Sequence, residues 1–390
     1  MRRIFSVLLA ALLLLPLAAC GDNDPDVSLK TYFDNKNGVT PAPTDEAPAD
    51  GDGTVQTVDK NQPVYEADGS IVITITCTGD FTIGSNAKSS GKSIFEKELA
   101  KQDGDVNFPL RNFKDILEKD DLTLINFEGT LTTGKINPDR KGNDFLFSAP
   151  PEYVSMLNYG SVEAVSLENN HVMDFGESGL QDTKDALTGA GVVYSCEDEA
   201  GIFSVKSVNI GMLAYQTFGG RHDEIKARLQ SDIDALRGDG CEIVIVSFHW
   251  GAEKEYSPND NCQALGKAAI DAGADLVVGH HSHRMNPIEE YKGKYICYSL
   301  GNFSFAGHNK PDDMSTIVFQ TKFRVKDGTA TPDGFIIIPA RISSRTDYND
   351  MCPTPYTKEE NIEAVLKTLK ENGKKLANPV AEYPLSWSKE

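Results

Sequence analysis

Three histidines, His280, His281 and His283, fall within four positions at the end of the apolar run "DLVVGHHSH". Imidazoles crowded together without a counter-charge disfavour one another's protonation and add little to a core, so the cluster calls for a ligand. His249 closes a second apolar run, "CEIVIVSFHWG", and His171 follows Asn169 and Asn170 in "ENNH". Asp80 ends "SIVITITCTGD", while Asn126 and Glu128 end "DLTLINFEG". Carboxylate, amide oxygen and imidazole together suit borderline divalent transition metals, namely Zn, Mn or Fe, and are too nitrogen-rich for Mg or Ca. One or two such ions polarise a phosphoryl oxygen and activate water near neutral pH. Strand alternation predicts His281 and His283 on one side, with His280 pointing away.

These residues must be carried by elements that converge. Apolar strand-like runs alternate with amphipathic helical patterns such as "HDEIKARLQSDIDALRGDG", whose Ile225, Leu229, Ile233 and Leu236 share one side. That alternation predicts an α/β domain with a largely buried sheet. The polar residues all fall at C-terminal strand ends, which in a doubly wound sheet share one edge where ligands bind. "KYICYSLGNF" reads as one further strand, and "STIVFQTKFRV" and "GFIIIPARI" as paired strands linked by "KDGTATPD". Thr357 and Glu360 predict a capping box for a final helix.

The blocks "TGDFTIG", "LINFEGTLT", "SLENNHVMDFGESGLQDTKDALTGAGV", "VSFHWGAEKEYSP" and "AAIDAGADLVVGHHSHRMNPIEEYKGKYICYSLGNFSF" keep their order and resemble the CapA family of bacterial capsule and poly-γ-glutamate synthesis proteins, from about Ile71 to Phe305. That family is similar to the calcineurin-like metallophosphoesterases, which implies a four-layer α-β-β-α sandwich around a metal centre. By position the resemblance implies metal ligands at Asp80, Glu128 or Asn126, Asn170, His249, His281 and His283. It further implies that His171 is the acid for the leaving group, with Asp174 orienting it. Thr82 stands where the related enzymes carry a first-motif histidine, so one metal position loses a ligand. Lys254, Arg284 and Asn302 are the candidates for gripping an anionic substrate.

The N-terminal "MRRIFSVLLAALLLLPLAAC" has the charged, apolar and small-residue regions of a secretory signal, and Leu-Ala-Ala before Cys20 resembles a lipobox. The expectation is an extracytoplasmic protein, anchored to the cell membrane through lipidated Cys20. Residues 21–69, poor in apolar residues, read as a disordered tether. Residues 70–345 then form the CapA-like domain, and 346–390 a C-terminal extension with one helix. Removing Arg2 and Arg3 with the signal takes the formal charge from −20 to about −22, and such an acidic surface argues against nucleic acid. Six further cysteines, Cys77, Cys196, Cys241, Cys262, Cys297 and Cys352, include no Cys-x-x-Cys pair, which argues against a thiolate zinc site. Neither a Gly-x-Ser-x-Gly elbow nor a P-loop is present. Three functions are therefore expected in order: a surface protein of capsule assembly or attachment, working with capsule polymer or its machinery and carrying a phosphoesterase-like site; an exported phosphoesterase with an unrelated substrate; and a non-catalytic assembly or anchoring subunit.

Overall fold

The computed structural model describes residues 62–88, 91–140, 145–197 and 199–387. The signal segment, Cys20 and the tether up to residue 61 lie outside the described residues. Among the described residues no helix is long and apolar enough to cross a membrane.

Two sheets pack face to face. The first runs, edge to edge, through Thr354–Pro355, Thr329–Arg341, Ser315–Lys326, Ile71–Phe81, Leu122–Phe127, Ala164–Ser166 and Val193–Ser195, with Asn302–Ser304 beside Ile71–Phe81. The second runs through Ile288–Tyr291, Lys294–Cys297, Leu276–His280, Ile243–His249, Val208–Gln216 and Gly201–Val205. Ile73, Ile75, Cys77 and Leu124 of the first meet Ile210, Ile245, Leu276 and Val278 of the second in one buried cluster. The opposite face of the first sheet packs Ile125, Phe127 and Val165 against helical segments carrying Phe95, Met156 and Leu187. The opposite face of the second packs Val244, Val246 and Val277 against His222–Gly238 and Asp260–Asp271. The layers are therefore α-β-β-α, and the unbroken burial of the central strands Leu122–Phe127, Ile243–His249 and Leu276–His280 follows from being covered on both sides.

The helix His222–Gly238 buries Ile225, Leu229, Ile233 and Leu236, the four positions its apolar periodicity marks. Other expectations are corrected. The site-bearing strand ends do not share one sheet; they belong to two facing sheets whose central strands run parallel, so both sets of C-terminal ends reach the same rim. "KYICYSLGNF" is not one strand: Lys294–Cys297 lies in the second sheet and Asn302–Ser304 in the first. The crossover is tight, because a Cβ on Gly79 would sit 2.0 Å from the Gly301 carbonyl oxygen, and Gly301 itself has φ 83°. The link between the paired strands shrinks to Asp327 and Gly328, whose left-handed φ of 50° and 73° suits a two-residue hairpin, and "TATPD" belongs to the second strand. The capping box is absent: the last helix starts at Glu359, one residue later than a Thr357 cap requires, and Lys358 makes no side-chain cap bond. That helix buries Val365 and Leu369 against the inter-sheet cluster. All six described cysteines are buried and free.

Candidate metal centre

Strand register sets the site. Asp80 pairs with Asn126 on one side and Asn302 on the other, and across the second sheet His249 pairs with His280. Asp80 and Glu128 are fully buried, as are His249 and His280 within 2%. Asp80 Oδ1 accepts from Asn126 Nδ2 at 2.8 Å, and Oδ2 accepts from the His281 backbone N–H at 3.3 Å. His283 Nδ1 stands 3.0 Å from Asp80 Oδ2 and His280 Nδ1 3.4 Å from Oδ1. His249 Nε2 lies 3.7 Å, and His171 Nε2 3.9 Å, from Glu128 Oε1.

Three overlapping sets each bring their ligand atoms within 4.8 Å of one another: Glu128, His249 and His281; Asp80, Glu128 and His283; and Glu253, His281 and His283. Nine buried polar atoms of the site lack a well-formed hydrogen bond: both oxygens of Glu128, Oδ1 of Asn170 and of Asn302, Nε2 of His249, both ring nitrogens of His280, and Nδ1 of His281 and His283; of these, Nδ1 of His280 and of His283 face the Asp80 carboxylate. Each such atom costs on the order of 1–3 kcal/mol when left unmade. Lone pairs gathered in this way, from carboxylate, amide and imidazole, fit a divalent transition cation.

The electrostatics agree. Burial, with the Asp80 charge, pushes the Glu128 carboxyl up to about 7. Burial opposes the charged form of Asp80 too, but the His280 and His283 rings outweigh it and hold that carboxyl well below the usual range. Burial likewise works against protonated His283, yet the Glu128 and Asp80 charges push it up to about 9. Burial and neighbouring imidazoles lower His281 to about 4 and hold His249 well below the ordinary value.

Two expected placements are corrected. Asn126 is not placed as a ligand: its amide nitrogen faces Asp80, and its oxygen accepts from Asn169 Nδ2 at 3.3 Å. It positions Asp80 instead. His280 does not point away, because the strand ends there and alternation with it; His281 and His283 take left-handed φ of 88° and 54°. Such backbone in non-glycine residues stores strain that the surrounding structure must hold.

The Asn170 Oδ1 is buried and unpartnered, and its neighbour His171 donates through Nδ1 to Asp174 Oδ2 at 2.8 Å. Arg140 then grips Asp174 Oδ1 through Nε at 2.9 Å and Nη2 at 2.5 Å, and also bonds the Asn170 carbonyl at 2.6 Å. Of the expected anion-gripping residues, Arg284 is buried and donates to the His283 carbonyl at 2.9 Å, so its guanidinium is partly spent on its own loop. Lys254 is exposed, with its backbone N–H on the Ser282 carbonyl at 2.7 Å. Asn302 turns an unpartnered oxygen into the buried site. Thr82 is occupied: its hydroxyl donates to the Ser304 carbonyl at 3.2 Å and accepts from the Ala306 N–H at 2.9 Å.

Sequence reasoning missed Arg140 and Glu253. Nothing in the spacing of Arg140 announces its role; Glu253 had a signal, an acid four residues after His249 in the same loop. It also missed the aromatic rings: Phe147 meets His171 edge-on at 5.2 Å, Phe218 meets His281 at 4.6 Å and His249 at 5.8 Å, and Phe305 lies 5.6 Å from His283.

The fold and this cluster define a two-sheet α/β protein with a candidate metal-binding cleft where the sheets meet. The chain belongs to the bacterial capsule synthesis protein family PGA_cap, which it matches over residues 74–306. It is 31% identical over 263 residues to the PGA biosynthesis protein CapA of Bacillus subtilis, covering 63% of this chain and 66% of that protein. It is 27% identical over 294 residues to the capsule biosynthesis protein CapA of Bacillus anthracis, covering 69% and 67%. The chain thus spans about two thirds of the length of these relatives. Among solved structures it is similar to the calcineurin-like phosphoesterase YfkN from Bacillus subtilis, with 16% identity and a TM-score of 0.43 over 78% of this chain and 99% of that one. A phosphatase from Mycoplasma pneumoniae is similar at 15% identity and TM-score 0.43, over 69% and 94%.

Proposed function

We propose that this protein is an accessory of poly-γ-glutamate capsule synthesis, held outside the membrane by a lipid on Cys20, and that its cleft is a divalent metal centre acting on phosphoesters. The pathway follows the printed roles of the Bacillus relatives; the chemistry rests on the unpartnered buried atoms of Glu128, His249, His281 and His283 facing one another. Asp80, Glu128, Asn170, His249, His281 and His283 would hold one or two such ions, with Glu128, His281 and His283 each shared by two of the ligand sets. A bound Zn, Mn or Fe ion supplies positive charge that polarises a phosphoryl oxygen and makes a nucleophile of water near neutral pH.

The chain supplies the rest. Asp174 accepts from His171 Nδ1, which fixes the ring and leaves Nε2 turned toward Glu128 and the cleft. In its imidazolium form His171 donates the Nε2 proton to the leaving oxygen and ends as a neutral ring still bonded through Nδ1 to Asp174, which Arg140 keeps from swinging away. Metal analysis of purified protein, followed by assay of a generic phosphomonoester and phosphodiester under Mn or Zn, tests this. Metal-dependent turnover that falls on the order of 10²–10⁴-fold in His171→Ala, with metal retained, supports it. Bound metal without turnover favours the second reading, a non-catalytic assembly subunit, for which the engaged hydroxyl of Thr82 at the missing ligand position speaks. Loss of surface poly-γ-glutamate on gene deletion tests the pathway, and unchanged polymer would return the exported phosphoesterase with another substrate.

A further inference from the structure

The ligand cluster is ringed by phenylalanines that no part of the proposed chemistry uses. Phe218 touches His281 and His249 edge-on, and Phe305 lies against His283; both are only half-buried, so apolar area beside the ligand histidines remains open. On the opposite side Phe147 stands edge-on to His171, and Phe145, 41% exposed, stacks on it at 6.0 Å. The Phe147 backbone is tied to the acid that orients His171: its N–H donates to Asp174 Oδ2 at 3.2 Å. Phe147 is buried, but the partly open rings of Phe218, Phe305 and Phe145 would cost exposed apolar area if they met only water and inorganic phosphate.

Charge narrows the choice. The mouth carries the exposed Glu253 beside His281 and His283, while Arg140 and Arg284 spend donors on Asp174, the Asn170 carbonyl and the His283 carbonyl. On a chain of formal charge −20, the exposed Lys254 and the unpartnered Nε of Arg284 offset one negative charge on the substrate more readily than two.

We infer that the cleft selects monoanionic phosphodiesters bearing a flat apolar group, which lies between Phe218, Phe305 and Phe145, the last backed by the buried Phe147, while the phosphoryl group meets the metal. This rests on the phosphoester reading above and names its substrate class.

Calorimetric titration of the full chain, loaded with the divalent ion that metal analysis finds, tests it without requiring turnover. Three probes are compared: diphenyl phosphate, dimethyl phosphate and phenyl phosphate. Diphenyl phosphate is expected to bind about tenfold more tightly than dimethyl phosphate, the size two aromatic contacts give, and more tightly than the dianionic phenyl phosphate. Phe218→Ala and Phe305→Ala should cut the diphenyl-to-dimethyl ratio at least threefold, and Phe145→Ala, a change at a surface ring that leaves the core intact, should lower it as well. If all three esters bind but the ratio is near one, or if it survives every phenylalanine variant, the inference is overturned and the phosphoester reading stands. If no ester binds the metal-loaded protein, both fall.

Discussion

On the first-sheet side of the cleft, Asp80, Asn126 and Asn169 hold one another by hydrogen bonds of 2.8 and 3.3 Å, and Asn169 is tied again to the Phe127 carbonyl at 2.9 Å. On the second-sheet side, His249 Nε2, His280 Nε2 and His281 Nδ1 have no hydrogen-bond partner, and the Nδ1 atoms of His280 and His283 meet only the Asp80 carboxylate. One wall is assembled before any cation arrives, and the other is waiting for one. Glu128 belongs to the first wall by sequence and to the second by state, since both its oxygens are unpartnered. A cation that joined Glu128 to His249 and His281 would add to the contacts of Asp80 with the His281 N–H and the His283 ring, which already link the two sheets at their rim above the apolar packing deeper in the molecule. Structural work done by the metal should therefore be felt mainly by the histidine wall.

The sharpest way to break this comparison is to remove ligands from each wall in turn. His281→Ala and Glu128→Ala each take one member from two of the three ligand sets. Both should abolish binding of Mn or Zn at concentrations well above the wild-type Kd, beyond the ~100-fold that changes to supporting residues produce. Loss should also remove the metal's contribution to thermal stability, about 2.7 kcal/mol at an ion concentration of ~100 Kd. A thermal shift by metal that persists in His281→Ala would place the ion elsewhere.

Next in size is the effect of pH. In the metal-free protein, Glu128 is pushed up to about 7 and His283 up to about 9, so each holds a proton below those values that a cation must displace. The low values of His249 and His281 leave those rings free to ligate over the same range. Both raised groups act in one direction: affinity climbs as pH rises, on the order of tenfold per pH unit from about 7 to 9, and more steeply below 7 where two protons must leave. Proton release measured during metal titration checks it, and an affinity flat between pH 6 and 9 would mean that neither Glu128 nor His283 meets the ion.

A smaller change is expected from the assembled wall. Asn126→Ala removes the donor to Asp80 without removing a lone pair that faces the cleft. Metal affinity should fall about tenfold, within the 10–100-fold usual for groups that orient ligands. A loss as complete as that of His281→Ala would make Asn126 a ligand after all, and its oxygen would have to leave Asn169.

How much of this was legible in the sequence follows the same division. The histidine wall was visible because its residues cluster within a few positions of strand ends, where imidazole has no ordinary packing role. The apolar period of His222–Gly238 was visible because four buried residues follow one helical stripe. The conformation of the His281 and His283 loop was not, because alternation stops at His280 and left-handed backbone in non-glycine residues leaves no mark in composition. The split of "KYICYSLGNF" between two sheets was hidden for a related reason: the Gly301 carbonyl touching Gly79 is a contact between residues more than two hundred positions apart. Arg140 was invisible because a single surface-like arginine acquires its role only when folding brings Asp174 and the Asn170 carbonyl to it.

Thr82 offers the smallest expected effect and the cleanest separation of fold from site. Its hydroxyl bridges the Ser304 carbonyl and the Ala306 N–H, both next to Phe305 on the rim. Thr82→Val keeps the shape but leaves that buried N–H unsatisfied, a cost on the order of 1–3 kcal/mol in denaturant unfolding. Metal affinity should not change, because the hydroxyl is directed at backbone and not at the imidazoles. A tenfold fall in affinity without loss of stability would instead put Thr82 among the groups that meet the ion, and the position would have to be counted as a ligand site modified but not lost.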